Sequence, residues 1–360
     1  MKQKIIPGMG RLLVACCLLA LCVLCSADSD GPDGTSQSDA GTLPEVLVFS
    51  GTEDAIAYMK EQDWWGGDWH EQELIAPRAL VTGISPAWRS NAQQLSVADK
   101  KEMFYRVMLP LVLHANEMVL EGRRELQAAQ ETLAAGKNLS AGQIADLQRA
   151  LVLFRVMDED SAGELGADRD RILEAIDELL YRLDIVPPGL ALGQAAYESG
   201  YGTSRFAAEG NALFGQWTYG GEGLVPGQQR AQLGDYRIAA FEWPFDSVRG
   251  YFINLMSHPA YEDFRRLRAE RRAAGQPLSS LALADGLLSY SERGQAYVDD
   301  LKGIIRVNKL EAADRASLRE EPLRLTAGAD GPEAAAELRR EFDAMRASGE
   351  LAEMYARMRL

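Results

Sequence analysis

Residues Ile185 to Trp217 read IVPPGLALGQAAYESGYGTSRFAAEGNALFGQW, and the punctuation of this stretch decides how the rest is read. Pro188 suits the first turn of a helix, where its missing N–H costs nothing. Gly200 suits the left-handed residue just past the helix end. Between them Leu192, Ala195, Ala196 and Ser199 make a small-residue helix able to pack closely. Glu198 falls in its last turn. There a carboxylate meets the negative end of the helix dipole and alanine-rich neighbours, and both favour the protonated acid. A glycosidic general acid needs that property, because it must hold a proton near neutrality and deliver it to a leaving oxygen. The bland alternative is a solvated surface glutamate.

Upstream, three helices are expected. Ser96 with Asp99 resembles a capping box ahead of Phe104, Val107, Leu111, Ala115 and Met118, with Pro110 predicting a kink. Ser140 and Gln143 form a second box before Ile144, Leu147, Leu151 and Phe154. The third helix runs through Ile172, Ile176, Leu179 and Leu183 and stops before Pro187-Pro188. From residue 44 to 95 the pattern is irregular, with Trp64, Trp65 and Trp69 around Gly66-Gly67; these tryptophans either pack on the helical body or touch sugar. Downstream, helical period disappears between Phe214 and Phe241, where Tyr236, Ile238 and Ala240 alternate like a short strand. It returns at Val248, Tyr251, Phe252, Leu255 and Met256, and again around 281–290 and 297–305. Residues 311–360 form a charged tail with one short amphipathic piece at Leu338, Phe342 and Met345.

The 360 residues carry 38 Lys+Arg against 53 Asp+Glu, a formal charge of −15, with 47% hydrophobic residues. This excludes a disordered chain and a polytopic membrane protein, and an acid excess opposes bulk binding to nucleic acid. All four cysteines, Cys16, Cys17, Cys22 and Cys25, lie in the apolar run Leu12–Cys25, preceded by Lys2, Lys4 and Arg11. A basic start, a short apolar run and a small-residue exit make residues 1–27 a signal peptide cut after Ala27, since a membrane span needs roughly 20 apolar residues. The rival is lipid attachment at an N-terminal cysteine, giving a membrane anchor: Cys25 precedes a tether, but Leu24 is bulky where a small residue belongs. Residues 28–43 are a disordered acidic linker without aromatics. The mature chain then holds no thiolate nucleophile. His70, His114 and His258 are scattered and no metal or cofactor motif appears, so no metal and no cofactor is expected.

The run Glu-Ser-Gly-Tyr-Gly-Thr-Ser followed by Asn211-x-x-Phe214-Gly215 resembles the glucosaminidase domains of bacterial peptidoglycan hydrolases, glycoside hydrolase family 73, and among them the Bax-like proteins. LPLVLHANEMVL at Leu109–Leu120, NLMSHPAYEDFR from Asn254 and YSERGQAYV from Tyr290 resemble further segments in the same order. The resemblance implies a mainly α (α+β) chain: a lysozyme-like helical lobe with a small β-lobe and an N-terminal helical extension. The organisation then reads as an irregular segment 44–95, a helical region 96–186, a catalytic domain 187–310 and a charged helical tail 311–360. By resemblance Glu198 is the general acid. Asn211, Phe214 and Gly215 match the family's N-x-x-F-G segment, with Asn suited to an acetamido group and Gly to close approach of sugar. Tyr290 and Tyr297 match the late motif; Tyr290 would polarise water or hold the N-acetyl group, or only pack. Tyr201, Trp217 and Tyr219 are candidates for stacking on sugar, or for packing. The family's second carboxylate has no aligned counterpart here; Asp235, Glu222 and Glu292 are the candidates.

Three functions remain open at this stage. An endo-β-N-acetylglucosaminidase would cut peptidoglycan glycan strands in the periplasm with Glu198 as acid. A lytic transglycosylase would use the same single acid, although Phe214-Gly215-Gln216-Trp217 departs from the segment usual there. A wall-binding or scaffold protein would keep the cleft without turnover.

Overall fold

The computed structural model describes residues 43–67, 73–85, 87–166, 168–218, 223–227 and 236–358. The expected signal peptide and the expected linker up to residue 42 lie outside the described residues, as do Trp69, His70, Tyr219, Glu222 and Asp235.

The chain is mainly helical with small sheets, and its local signals act where they stand. Ser96 Oγ accepts the Asp99 N–H at 3.0 Å and opens a 38-residue helix, Val97–Ala134, that runs on through Pro110. Ser140 and Gln143 satisfy each other's backbone N–H groups and open Ala141–Leu153. Asp168 caps the third helix, Arg169–Arg182.

The acid-bearing helix, Pro188–Ser199, is buried from Pro188 to Ala196 and packs against the long helix, against Gln295–Val307 and against the turn Leu310–Arg315. Its entry is fixed by Asn116 of the long helix, whose side-chain amide pairs with both backbone groups of Val186 at 2.9 and 3.0 Å. Asp314 accepts from the Gly189 N–H at 3.0 Å and from Ser280 N at 2.8 Å, placing a carboxylate at the positive end of the helix dipole. Neighbouring elements come so near that a Cβ on Gly189 would meet the Leu310 carbonyl oxygen at 2.3 Å. One on Gly193 would meet Leu301 and Ile305 at 3.1 and 3.0 Å. The small residues legible in the sequence thus serve close packing. Just before this helix, the Asp184 carbonyl accepts from the buried Arg268 at 2.7 Å, and Arg272 grips the Asp184 carboxylate with two bonds of 2.8 Å.

The two flanks depart from expectation. Residues 44–95 are not simply irregular and 311–360 are not only a helical tail: together they build a sheet. Glu45–Phe49 and Ala79–Val81 flank Arg324–Gly328, both parallel to it, with Glu45 opposite Arg324 and Ala79 opposite the same residue. A second parallel pair joins Ile75–Ala76 to Ser317–Leu318. Helices Thr52–Glu61, Pro332–Ser348 and Glu350–Met358 complete this unit. Val46–Phe49 is a short continuous apolar run with no period to read, and its partner strand lies some 279 residues away. Trp64 belongs to the packing: it is buried, donates from Nε1 to the Arg106 carbonyl at 3.0 Å, and lies 4.6 Å beneath that guanidinium. An apolar cavity of about 140 Å³ lies between the sheet and the long helix, lined by Phe49, Met59, Trp88, Phe104, Met108 and Leu213.

The β-lobe is small. Trp217–Thr218 pairs antiparallel with Arg237–Ile238, and Leu224 bridges to Ile238. No helix among the described residues is long and apolar enough to cross a membrane.

Candidate active site

Glu198 stands where its helix runs out. Gly200 takes the left-handed conformation, φ 59° and ψ 46°, that ends the helix. Ser199 is wholly buried; its hydroxyl donates to the Ala195 carbonyl and accepts the Gly202 N–H at 2.8 Å, so the serine of the Glu-Ser pair ties the turn together. Glu198 itself is only partly exposed.

Burial raises the Glu198 pKa to about 7, and a hydrogen bond with the Tyr297 hydroxyl opposes that rise. The acid is therefore close to half protonated at neutral pH. Among the described residues no carboxylate contributes to the shift. Instead, tyrosines surround the acid: Tyr297, Tyr290, Tyr251 and Tyr261 each have their own ionisation pushed up, first by burial and further by the charge on Glu198. Their rings interlock. Tyr290 stacks on Tyr297 with centroids 5.6 Å apart and planes at 9°, and Tyr261 leans on Tyr290 at 5.7 Å.

The loop after the acid helix closes on the carboxyl group from one side. Gly215 has φ 61°, and a Cβ there would come 3.1 Å from Glu198 Oε2. Phe214 lies buried, stacked on Tyr251 with centroids 4.1 Å apart and planes at 5°. The Tyr290 hydroxyl donates to the Phe214 carbonyl at 2.8 Å. In this structure Tyr290 therefore fixes the loop with its one proton.

Asn211 is placed as a staple. It adopts φ 49°, its Oδ1 accepts from Ile84 N at 3.2 Å, and its Nδ2 donates to the carbonyls of Phe241 and Glu242 at 3.1 and 2.9 Å. Its amide is thereby engaged with three backbone groups from two distant segments. Tyr201, also left-handed at φ 59°, packs edge-on against Phe104 and Tyr105 at 5.7 and 5.9 Å. Trp217 differs: it is 45% exposed and rests on Tyr236 with centroids 4.6 Å apart. Glu292 is an exposed residue of the turn leading to Tyr297. Glu222 and Asp235, the other candidate second acids, lie outside the described residues.

Sequence reading did not single out Gln194, Tyr251 or Tyr261. Gln194 lies one helical turn before Glu198, with no exposed surface; Nε2 donates to the Tyr297 hydroxyl at 3.0 Å, and Oε1 accepts from Tyr251. The available signal was the i, i+4 spacing, which puts a buried amide on the face of the acid. Among the described residues no group of three or more His, Cys, Asp or Glu side chains is arranged to hold a metal ion.

Residues 174–310 match the Glucosaminidase family, described as mannosyl-glycoprotein endo-beta-N-acetylglucosaminidase. The match includes Glu198, the Asn211–Trp217 segment, Tyr290 and Tyr297. The chain is similar to Protein bax of Escherichia coli (strain K12), 29% identical over 231 residues, which cover 61% of this chain and 77% of that protein. No solved structure gives a significant match to the chain.

Proposed function

We propose that this chain, a Bax-like protein with a glucosaminidase domain, is a peptidoglycan hydrolase: an endo-β-N-acetylglucosaminidase that cleaves glycan strands with Glu198 as general acid. One observation carries the reading. Among the described residues of the matched domain, Glu198 is the carboxyl group that keeps its proton up to about pH 7, beneath a loop brought near by a left-handed glycine.

Cleavage would proceed as the Glu198 proton passes to the glycosidic oxygen while the C1–O bond breaks. Positive charge then develops on the ring oxygen and C1. The carboxylate left behind receives the Tyr297 hydrogen bond. Water completes hydrolysis at C1, helped by a second carboxylate or after attack by the substrate's own acetamido oxygen. The family's description and the proposed substrate share one chemistry, a β-linked N-acetylglucosamine. The basic, apolar and small-residue pattern of residues 1–27 supports export to the periplasm, where that polymer lies.

The test is digestion of purified sacculi by wild type and by Glu198→Gln, with products read by mass spectrometry. Soluble muropeptides ending in reducing N-acetylglucosamine, absent with the variant, are expected. Ends of 1,6-anhydromuramic acid would replace this reading with a lytic transglycosylase. Binding without release of fragments would replace it with a wall-binding protein.

A further inference from the structure

We infer that Gln194 is a positioning residue, whose amide commits the Tyr297 proton to Glu198 and is itself held in that orientation by Tyr251. The inference rests on the reading of Glu198 as the general acid and names what tunes it.

A phenol has one proton to donate and two lone pairs to receive. Gln194 Nε2 donates to the Tyr297 oxygen at 3.0 Å, so that proton is not drawn towards the amide and remains for Glu198. A glutamine amide is nearly symmetric in shape, and turning it over would present Oε1 to Tyr297 instead. The tyrosine proton would then point away from the acid. Tyr251 opposes the turn: its hydroxyl donates to Oε1 and would lose that acceptor in the turned amide, and both it and Gln194 are without exposed surface, so no water would replace the bond. Tyr251 is in turn clamped by its stack on Phe214, the residue beside Gly215. The chain Tyr251–Gln194–Tyr297–Glu198 thus joins helix Pro244–Ser257, the acid helix and helix Gln295–Val307 through one ordered set of hydrogen bonds.

Among the described residues, the other titratable groups acting at this point are Tyr290 and Tyr261. Tyr290 gives its proton to the Phe214 carbonyl, and Tyr261 bonds to Asn254. Neither is shown supplying a hydrogen bond to Glu198, whose tyrosine partner is Tyr297. Removing the Gln194 amide therefore weakens the donor that favours the ionised acid, and Glu198 holds its proton to higher pH.

The experiment follows the Glu198 carboxyl by ¹³C NMR titration of the full chain, without substrate, in wild type, Gln194→Met, Tyr297→Phe and the double variant. The signal is assigned by its loss in Glu198→Gln. Gln194→Met keeps side-chain length and removes both amide groups. The expected result is an upward move of the Glu198 midpoint by about half a pH unit or more, a similar move in Tyr297→Phe, and no further move in the double variant. An unmoved midpoint in Gln194→Met, or shifts that add, would overturn the inference. Should Gln194→Met fail to fold, Tyr251→Phe probes the same chain with loss of one hydroxyl; a rise is expected and an unchanged midpoint overturns it. Because no substrate is present, failure of wild type to cleave sacculi sinks the enzymatic reading separately.

Discussion

Gly215 and Glu198 are separated by less than the room a methyl group needs: a Cβ on the glycine would stand 3.1 Å from Oε2 and 3.8 Å from Cδ of the acid. The loop over the Glu198 carboxyl is close because position 215 has no side chain, and it stays there because Tyr290 holds the preceding carbonyl. Gly215→Ala must both adopt φ near 61° and push against the carboxylate. We expect about 1–2 kcal/mol of destabilisation in urea unfolding. Cleavage should fall by at least about tenfold, as misplacement of the acid requires. Unchanged kcat at an unchanged urea midpoint would show that the loop is free to give way.

The raised Glu198 pKa fixes the sign of a pH effect on stability. In the unfolded chain this carboxyl ionises at the ordinary glutamate value; in the fold it keeps its proton to about pH 7. Below the ordinary value both states are protonated and burial of this group carries no charge penalty. As pH rises from there through 7, the unfolded chain releases its proton first and the fold loses relative stability. Glu198→Gln has no proton to lose. Its urea stability relative to wild type should therefore improve between pH 5 and 8, by roughly 1–3 kcal/mol. A difference that stays flat across that range would mean that the carboxyl titrates normally. Wild-type cleavage should decline over the upper part of the same range as the protonated fraction falls.

Asn211 is expected to behave as a structural residue. Its three hydrogen bonds hold Ile84, Phe241 and Glu242 to the end of helix Arg205–Gly210, and its left-handed backbone suits asparagine better than alanine. Asn211→Ala should cost about 2–4 kcal/mol in urea unfolding, with KM for glycan fragments changed less than about twofold in the folded fraction. A tenfold rise in KM at an unaltered urea midpoint would restore the role of acetamido ligand suggested by its place in the N-x-x-F-G segment.

What the sequence disclosed was local. Ser96, Ser140, Pro188 and Gly200 act on backbone within a few residues of themselves, and each can be read without knowing the fold. Glu198 was legible for the same reason, as a carboxyl at a helix end among small residues. The parallel sheet was not, because Arg324–Gly328 lies between strands drawn from the other end of the chain. Tyr251 sits at helical spacing with Phe252 and Leu255, where periodicity says only that it is buried; what its hydroxyl meets is a long-range fact. Asn211 shows the converse: a side chain suited to sugar recognition has its amide drawn into backbone pairing by distant segments.

Under the proposed function, the exposed indole of Trp217 would touch substrate by stacking. Nearly half exposed, it is braced from behind by Tyr236 and held in a strand paired with Arg237–Ile238. An indole fixed in this way offers a rigid apolar face at little entropic cost, which suits the C–H face of a pyranose ring. Trp217→Ala should raise KM for glycan fragments by about tenfold, equivalent to roughly 1.4 kcal/mol of lost contact. Because much of the ring already meets solvent, unfolding free energy should change by less than about 1 kcal/mol. Trp217→Phe, which keeps an aromatic face, should recover most of the loss. Had the tryptophan served only to cover Tyr236, the order would reverse: alanine would lower the urea midpoint and leave KM where it was.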